Sequence, residues 1–184
     1  ILLVGIAVNA IAGVGIGAFQ YLADDGQLRS MVFWMMGSFG RSTWTTLLPA
    51  IAIMAVCVLA LIRYARPLDL LQLGEPEAEF LGVDVKRLKR GVILASAAGV
   101  GAGVALCGII GFIGLVVPHL VRLSIGPSHK LLIPGSALLG ASLAILADLV
   151  ARIIIIPAEI PVSLVTSALG APFFLWLIAR ARPV

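Results

Sequence analysis

This chain has few charged residues for its length. Only 12% of its 184 residues are charged, 61% are hydrophobic, and the mean hydropathy is +1.14. Since about a quarter of the residues in a soluble domain are charged, this composition excludes an ordinary soluble protein. It predicts an integral membrane protein, most of which is solvated by lipid. The fold class that we expect is all-α, a polytopic transmembrane helical bundle.

The motifs of enzymes and nucleotide-binding proteins are also missing. The sequence contains no GxxxxGK[ST], HExxH, CxxC or GxSxG pattern, and these carry phosphate binding, zinc chemistry, redox chemistry and acyl transfer. Cys57 and Cys107 both lie in apolar runs, where a core thiol is the ordinary interpretation. We therefore expect no enzyme, metal site or bound cofactor. The basic residues form no patch typical of a nucleic-acid-binding protein.

An initiator methionine and a basic leader are missing as well, because the chain begins Ile1-Leu2-Leu3-Val4. We interpret residue 1 as a position inside a longer gene product. A spanning helix needs about 20 mostly apolar residues. The candidate spans are 1–22, 47–64, 91–108, 109–125, 134–156 and 162–179.

Residues 91–121 contain no charge and are the difficult case. A single helix of that length is roughly 46 Å long, which exceeds a ~30 Å hydrocarbon layer, so two crossings joined near residues 108–111 fit better. Six crossings that start in the cytoplasm place ten basic residues inside and only three outside, as the positive-inside rule requires. The inner residues are Arg63, Arg66, Lys86, Arg87, Lys89, Arg90, Arg122, Lys130, Arg180 and Arg182, and the outer ones are Arg29, Arg41 and Arg152.

The densest charge lies in residues 74–90, GEPEAEFLGVDVKRLKR, where eight of seventeen residues are charged. The acids come first and the bases last, which suits a short helix because the helix dipole favours that order. Gly82 indicates a break between two short helices. The residues alone leave two interpretations open: a solvated loop that fixes the topology, or a docking surface for a cytoplasmic partner.

Six motifs follow one another along the chain. They are LQLGE (71–75) with Ala78, Leu81 and Gly82; GFIGLVVPHLVR (111–122); LLIPG (131–135); ADLVAR (147–152); EIPV (159–162); and LGAPFF (169–174). In this order they resemble the FecCD-like permeases, which are subunits of type II ABC importers for iron chelates, haem and cobalamin. Permeases of that family have ten helices, and this chain resembles the last six.

The resemblance implies one permease domain over 1–184 that lacks the N-terminal helices, with a cytoplasmic coupling segment at 65–90. It also implies a bacterial inner-membrane location with a cytoplasmic C-terminus. The expected partners are an ATP-binding subunit that carries ATP and Mg, a substrate-binding protein, a second permease copy and lipid. The expected contacts with the ATPase are Gly74, Glu75, Glu77, Ala78, Glu79, Leu81 and Gly82.

Asp148 and Arg152 are four residues apart and share a helix face, so a local ion pair is one interpretation. The resemblance implies that Arg152 docks the binding protein and that Glu159, in the adjacent turn, positions it. Asn9 and Asp148 are candidates for the transport pathway, although interhelical hydrogen bonding explains Asn9 equally well. His119 is interpreted as structural, because a lone histidine is more often that than a ligand.

The segments 5–13 and 81–90 look most like those of haem permeases, so haem is the first expected cargo, ahead of siderophores and cobalamin. The alternative function is an ion-coupled secondary transporter that uses Asp148, the one acid within a span. A membrane anchor with a purely structural role is a third interpretation.

Overall fold

A computed structural model describes residues 2–40, 42–155 and 160–180, and over these ranges the chain forms nine helices and no strand. The predicted all-α fold class is confirmed. The helices are α1 (Leu2–Leu22), α2 (Asp25–Met35), α3 (Trp44–Arg63), α4 (Ala65–Leu71), α5 (Glu75–Phe80), α6 (Val85–Cys107), α7 (Ile113–Ile125), α8 (His129–Ile153) and α9 (Val162–Arg180). Arg41, Glu159 and Arg182 lie outside the described residues.

The chain divides into two compact units, 1–35 and 36–184. In the first unit, the amide of Gln20 in α1 donates to the Met35 sulfur at the end of α2, 3.5 Å away. Asp24 caps α2, because its carboxylate accepts the backbone N–H of Gln27 at 2.7 Å. The guanidinium of Arg29 lies 5.7 Å from the centre of the Phe33 ring.

All six predicted spans correspond to helices, but their lengths differ. By length and hydropathy, α1, α3, α6 and α8 are long enough to cross a membrane, and α7 and the stretch Val162–Leu175 of α9 are also apolar. Their outward faces expose large apolar side chains such as Leu94 and Ile145. Such faces are normal where lipid replaces water. The chain is a multi-pass membrane protein.

The predicted interruption near residues 108–111 is present. Helix α6 ends at Cys107 and α7 begins at Ile113, with positive φ angles at Gly108 (72°) and Phe112 (64°) on the two sides of the break. Helix α7 is only about 20 Å long. Non-helical backbone at membrane depth is tolerated where protein covers it, and here Phe112 packs closely on Gly170 of α9.

Hydrogen bonds between distant segments fix which helix ends meet in the second unit. Residues 36–38, the end of α6 and the start of α9 share one end, where Ser38 N–H donates to the Cys107 carbonyl and Val162 N–H to the Gly37 carbonyl. At the other end, the Gln72 amide reaches the Pro127 carbonyl in the α7–α8 turn. Helices α6 and α7 therefore run in opposite directions, as the two-crossing prediction requires.

The core of this unit is small and divided. Val117 and Val121 of α7 pack with Leu132 of α8. At the opposite end of α8, Ala147 and Ala151 pack with Val162 and Val165 of α9. Small residues at these contacts let the helix backbones approach each other, which is the common packing mode within membranes.

Candidate functional site

Two short helices, α4 and α5, join the membrane helices α3 and α6. Gly74 adopts a φ of 128° and Gly82 a φ of 85°, so glycines stand where the backbone turns into and out of α5. Pro76 lies in the first turn of α5 together with Glu75 and Glu77. Proline lacks the N–H that the first turn leaves unpaired, and acids there complement the helix dipole.

A few apolar residues fix α5 to the bundle. Ala78 is completely buried, and Val85 and Leu88 at the start of α6 are 3% exposed. The α5–α6 turn is closed by the Val83 N–H, which donates to the Ala78 carbonyl at 3.0 Å. The small Ala78 side chain thus lies at the contact between α5 and the rest of the protein.

The opposite side of α5 is open and contains apolar as well as acidic groups. Phe80 is 93% exposed and Leu81 58%, and Glu77 and Glu79 are exposed beside them. Because Phe80 is almost fully exposed, its side chain contributes no stabilisation by burial in the isolated chain. Exposed apolar groups with a polar rim are typical of protein-binding surfaces. We call residues Gly74–Gly82 the coupling surface.

Local ion pairs hold the flanks of this surface. Lys89 of α6 donates to the Glu75 carboxylate. Asp84 caps α6 by accepting the Arg87 N–H at 3.0 Å, and its other oxygen lies 3.0 Å from the Arg87 guanidinium. All of these side chains except Lys89 are largely exposed, so each pair contributes little to stability.

A second set of polar contacts ties α4 to the first turn of α8. The Asp69 carboxylate accepts the His129 backbone N–H and contacts the His129 ring nitrogen Nδ1, each at 2.7 Å, and its second oxygen accepts the Ser128 hydroxyl at 3.1 Å. Gln72 lies 3.0 Å from the same Nδ1. We call this set the α4–α8 contact.

The charge on Asp69 follows from these contacts. Burial raises the pKa of the Asp69 carboxyl, but the hydrogen bonds from His129 and Ser128 outweigh burial, and the pKa lies below its ordinary value. Asp69 is therefore ionised at neutral pH. An ionised carboxylate only accepts hydrogen bonds, so Nδ1 of His129 carries the proton in this contact.

At the opposite end of α8, Arg152 Nε donates to Asp148 at 2.8 Å. The predicted local ion pair is thus present, and Arg152 is 43% exposed, so it also reaches the surface. Asn9 lies in α1 with an exposed side chain and belongs to the first unit, whereas Asp148 belongs to the second. The buried Nε2 of His119 has no hydrogen-bond partner among the described residues.

Two of the apolar cavities formed by the described residues border α7. One of about 200 Å³ lies between α7, α8 and α9, next to Phe112, Thr166 and Phe173. The other, of about 530 Å³, is bordered by α3, α6, α7 and α8 and is lined in part by Ser96 and Ser136. The described lining of both cavities has no charged group, so neither offers a strong ligand for an ion.

Sequence comparison decides the family. The profile of the FecCD transport family matches residues 1–180. This chain belongs to the FecCD transport family. The predicted resemblance is confirmed, and the coupling surface and the α8 ion pair are therefore features of a FecCD-family chain.

Relatives of this FecCD-family chain are permeases. It is 53% identical over 183 residues to the hemin transport system permease protein HmuU of Yersinia pestis, covering 99% of the chain and 54% of that protein. It is 44% identical over 180 residues to the vitamin B12 import system permease protein BtuC of Vibrio cholerae, covering 98% of the chain and 54% of BtuC. The chain thus spans about half the length of these relatives.

A solved structure has the same fold. A protein described as a metal-chelate type ABC transporter, in an inward-facing conformation, superimposes with a TM-score of 0.91 at 38% sequence identity. The match covers 97% of this chain and 58% of the solved chain.

Sequence reasoning missed two features of the candidate site. The exposure of Phe80 was not expected, since an apolar residue in a short helix is usually assigned to the core. The α4–α8 contact was missed because Asp69 and His129 are 60 positions apart and neither belongs to a motif. The one available signal was Ser128-His129 at the start of α8, a typical N-cap position.

Proposed function

We propose that this chain is part of the membrane-spanning subunit of an ABC importer that moves haem into the cytoplasm. The observation that carries the proposal is the coupling surface, in which the exposed Phe80 follows the exposed Glu77 and Glu79 and the helix is fixed to the bundle through the buried Ala78. Family membership and the two relatives named as hemin and vitamin B12 permeases support the class of cargo. Haem precedes cobalamin because the hemin permease is the more similar of the two.

The proposed partners follow from the two ends of the protein. A cytoplasmic ATPase subunit, which carries ATP and Mg, binds the coupling surface, where its basic and apolar groups meet Glu77, Glu79 and Phe80. A substrate-binding protein docks at the outer end through Arg152, with Glu159 nearby in sequence. A second permease copy completes the pathway in the bacterial inner membrane, and the C-terminus lies in the cytoplasm.

The proposed mechanism is alternating access without covalent chemistry. ATP binding draws the ATPase subunits together and displaces the coupling surfaces, and the membrane helices reorient around the cargo. This chain binds no cofactor of its own, and apolar cavities suit a large apolar cargo that must be released again. Asn9 and Asp148 remain pathway candidates.

The ion-coupled alternative is less well supported. A proton or sodium site needs a carboxylate that is available to the ion, whereas Asp148 is already paired with Arg152 at 2.8 Å.

Co-purification tests the proposal. We expect the full-length protein, extracted in mild detergent from its native host, to carry an ATPase subunit in equal amount. The double variant Glu75→Lys/Glu79→Lys should lose it, because reversed charges repel the basic partner. Asp24→Lys/Asp25→Lys, at the start of α2, is the matched charge-reversal control and should retain it. Wild-type protein without any ATPase, or equal retention in both double variants, would contradict the proposal.

A further inference from the structure

The α4–α8 contact joins two elements that are distant in sequence but adjacent in space. Helix α4 precedes the coupling surface directly and packs on α5. Helix α8 begins at the α7–α8 turn and runs for 25 residues, about 37 Å, to the ion pair of Asp148 and Arg152. One end of α8 thus lies against the coupling segment, and the other carries the proposed docking arginine.

The chemistry of the contact distinguishes it from ordinary helix packing. Asp69 supplies the cap of α8 from another helix, because its carboxylate accepts the His129 backbone N–H that the first turn leaves unpaired. The His129 ring and the Ser128 hydroxyl add two further bonds to the same carboxylate. Hydrogen bonds to an ionised acceptor are about twice as strong as neutral ones, so α4 and the start of α8 are held together firmly.

Few other side-chain contacts join the coupling segment to a membrane helix as firmly. Glu75 and Lys89 join α5 to α6, but both side chains are more exposed than His129, which is 18% exposed. Within the residues that the structure describes, the polar bonds that connect the coupling segment to the α7–α8 turn and the start of α8 come from Asp69 in α4 and from Gln72, the residue after α4.

We propose that Asp69 and His129 are positioning residues that pass the displacement of the coupling surface to α8. The proposal rests on the proposed function, since it needs an ATPase that moves the coupling surface. When α5 is displaced, α4 moves with it, and Asp69 carries the first turn of α8. The rotation or shift then reaches the α8–α9 contact around Ala147 and Ala151. Without the carboxylate, α4 and α8 move separately, and ATP hydrolysis continues without transport.

The test measures haem transported per ATP hydrolysed by the full-length permease, reconstituted in proteoliposomes with its ATPase and binding protein. For Asp69→Ala we expect the ratio to fall about tenfold, which corresponds to a loss of roughly 1.4 kcal/mol, while ATP hydrolysis persists. Asp69→Asn should restore at least half of the ratio, because the amide oxygen still accepts the backbone N–H. His129→Ala keeps that N–H and should lower the ratio about threefold.

Two comparisons separate positioning from stability. Asp24→Ala also removes an aspartate cap, that of α2, and should lower thermal stability without changing the ratio. The double variant Asp69→Ala/His129→Ala should match Asp69→Ala alone, because the two side chains act through one contact. If Asp69→Ala fails to reach the membrane, the transport ratios of His129→Ala and Asp69→Asn test the proposal instead.

The outcomes distinguish two failures. An unchanged ratio in Asp69→Ala and His129→Ala, or an equal fall in Asp24→Ala, would overturn the positioning role while wild-type transport stands. If the wild-type complex shows no ATP-driven uptake, the proposed function fails and this inference fails with it.

Discussion

The two ends of the second unit are held together by different kinds of bonds. At the end that contains the coupling surface, side chains make the connections: Asp69 with His129, Gln72 with Pro127, and Glu75 with Lys89. At the opposite end, main-chain groups connect residues 36–38 with α6 and α9, and Asp148 and Arg152 of α8 form an ion pair.

This difference has a physical consequence. Backbone bonds in a crowded junction leave little room for adjustment, because interiors are packed as densely as organic crystals. Side-chain bonds at a half-exposed end tolerate small rotations and shifts. We therefore expect the end that we assign to the ATPase to move as a connected group, and the opposite end to keep its local geometry.

The largest effect is expected for Gly37→Ala at the backbone-linked end. Gly37 has a φ of 72°, and an added Cβ would lie 2.9 Å from the Ile109 carbonyl oxygen. The left-handed backbone should lower the free energy of unfolding by about 1–2 kcal/mol, and overpacking should lower it by about a further 1–3 kcal/mol. Gly82→Ala has a φ of 85° but open space, so strain alone should apply there. Thermal unfolding in detergent checks the order, and an equal loss at both positions would contradict the comparison.

Phe80→Ala should weaken binding of the ATPase subunit about 30-fold, the effect of losing a hot-spot side chain worth about 2 kcal/mol. Because Phe80 is nearly bare, its removal leaves no cavity, and thermal stability should stay the same. The measurement is the Kd of the purified ATPase subunit for the permease in nanodiscs. Phe19→Ala in α1, also largely exposed, is the matched control. Equal Kd values for the two variants would contradict the assignment of the coupling surface.

Arg152→Glu should weaken binding of the substrate-binding protein about tenfold and leave the Kd of the ATPase subunit unchanged, since a reversed charge repels an acidic partner. Arg152 is 43% exposed and also pairs with Asp148 in the same helix. Arg29→Glu in α2 controls for net charge. Binding titrations in nanodiscs at low salt measure both partners, and a similar loss with Arg29→Glu would argue against specific docking.

The smallest effect is expected for the ion pair of Glu75 and Lys89. A double-mutant cycle with Glu75→Ala and Lys89→Ala should give a coupling energy of about 0.2–1 kcal/mol, because the Glu75 side chain is 60% exposed to solvent. Chemical unfolding of the four proteins provides the values. A coupling energy above about 2 kcal/mol would mean that this pair, and not the α4–α8 contact alone, fastens the coupling segment.

Much of the fold was predictable because lipid imposes simple rules on length and charge. The break between α6 and α7 followed from the length of the apolar run and from the need to place Lys86 and Lys130 on one side. The short helix α5 and the break at Gly82 followed from the acid-first order and from that glycine, but the predicted second short helix is the start of the long helix α6. Boundaries were less accurate: α6 begins at Val85 instead of residue 91, because Asp84 caps a basic turn that hydropathy alone assigns to a loop.

The features that were missed depend on tertiary structure. Burial of Ala78 and exposure of Phe80 are decided by which side of α5 meets α6, and a six-residue helix has too few positions to define a periodic face. The pairing of Asp69 with His129 requires the α7–α8 turn to lie next to α4, and no local sequence pattern predicts that contact. The predicted contacts Gly74–Gly82 with an ATPase, the docking role of Arg152 and Glu159, and the single-domain organisation stay predictions.

ATP-driven uptake of haem by the full-length protein tests the central claim most directly. The permease would be reconstituted with its ATPase and binding protein in proteoliposomes, with ionophores present to abolish proton and sodium gradients. The account predicts uptake that requires ATP inside the compartment facing the coupling surface and that persists with ionophores. Uptake that proceeds without ATP, and that stops when the ion gradients are abolished, would contradict it.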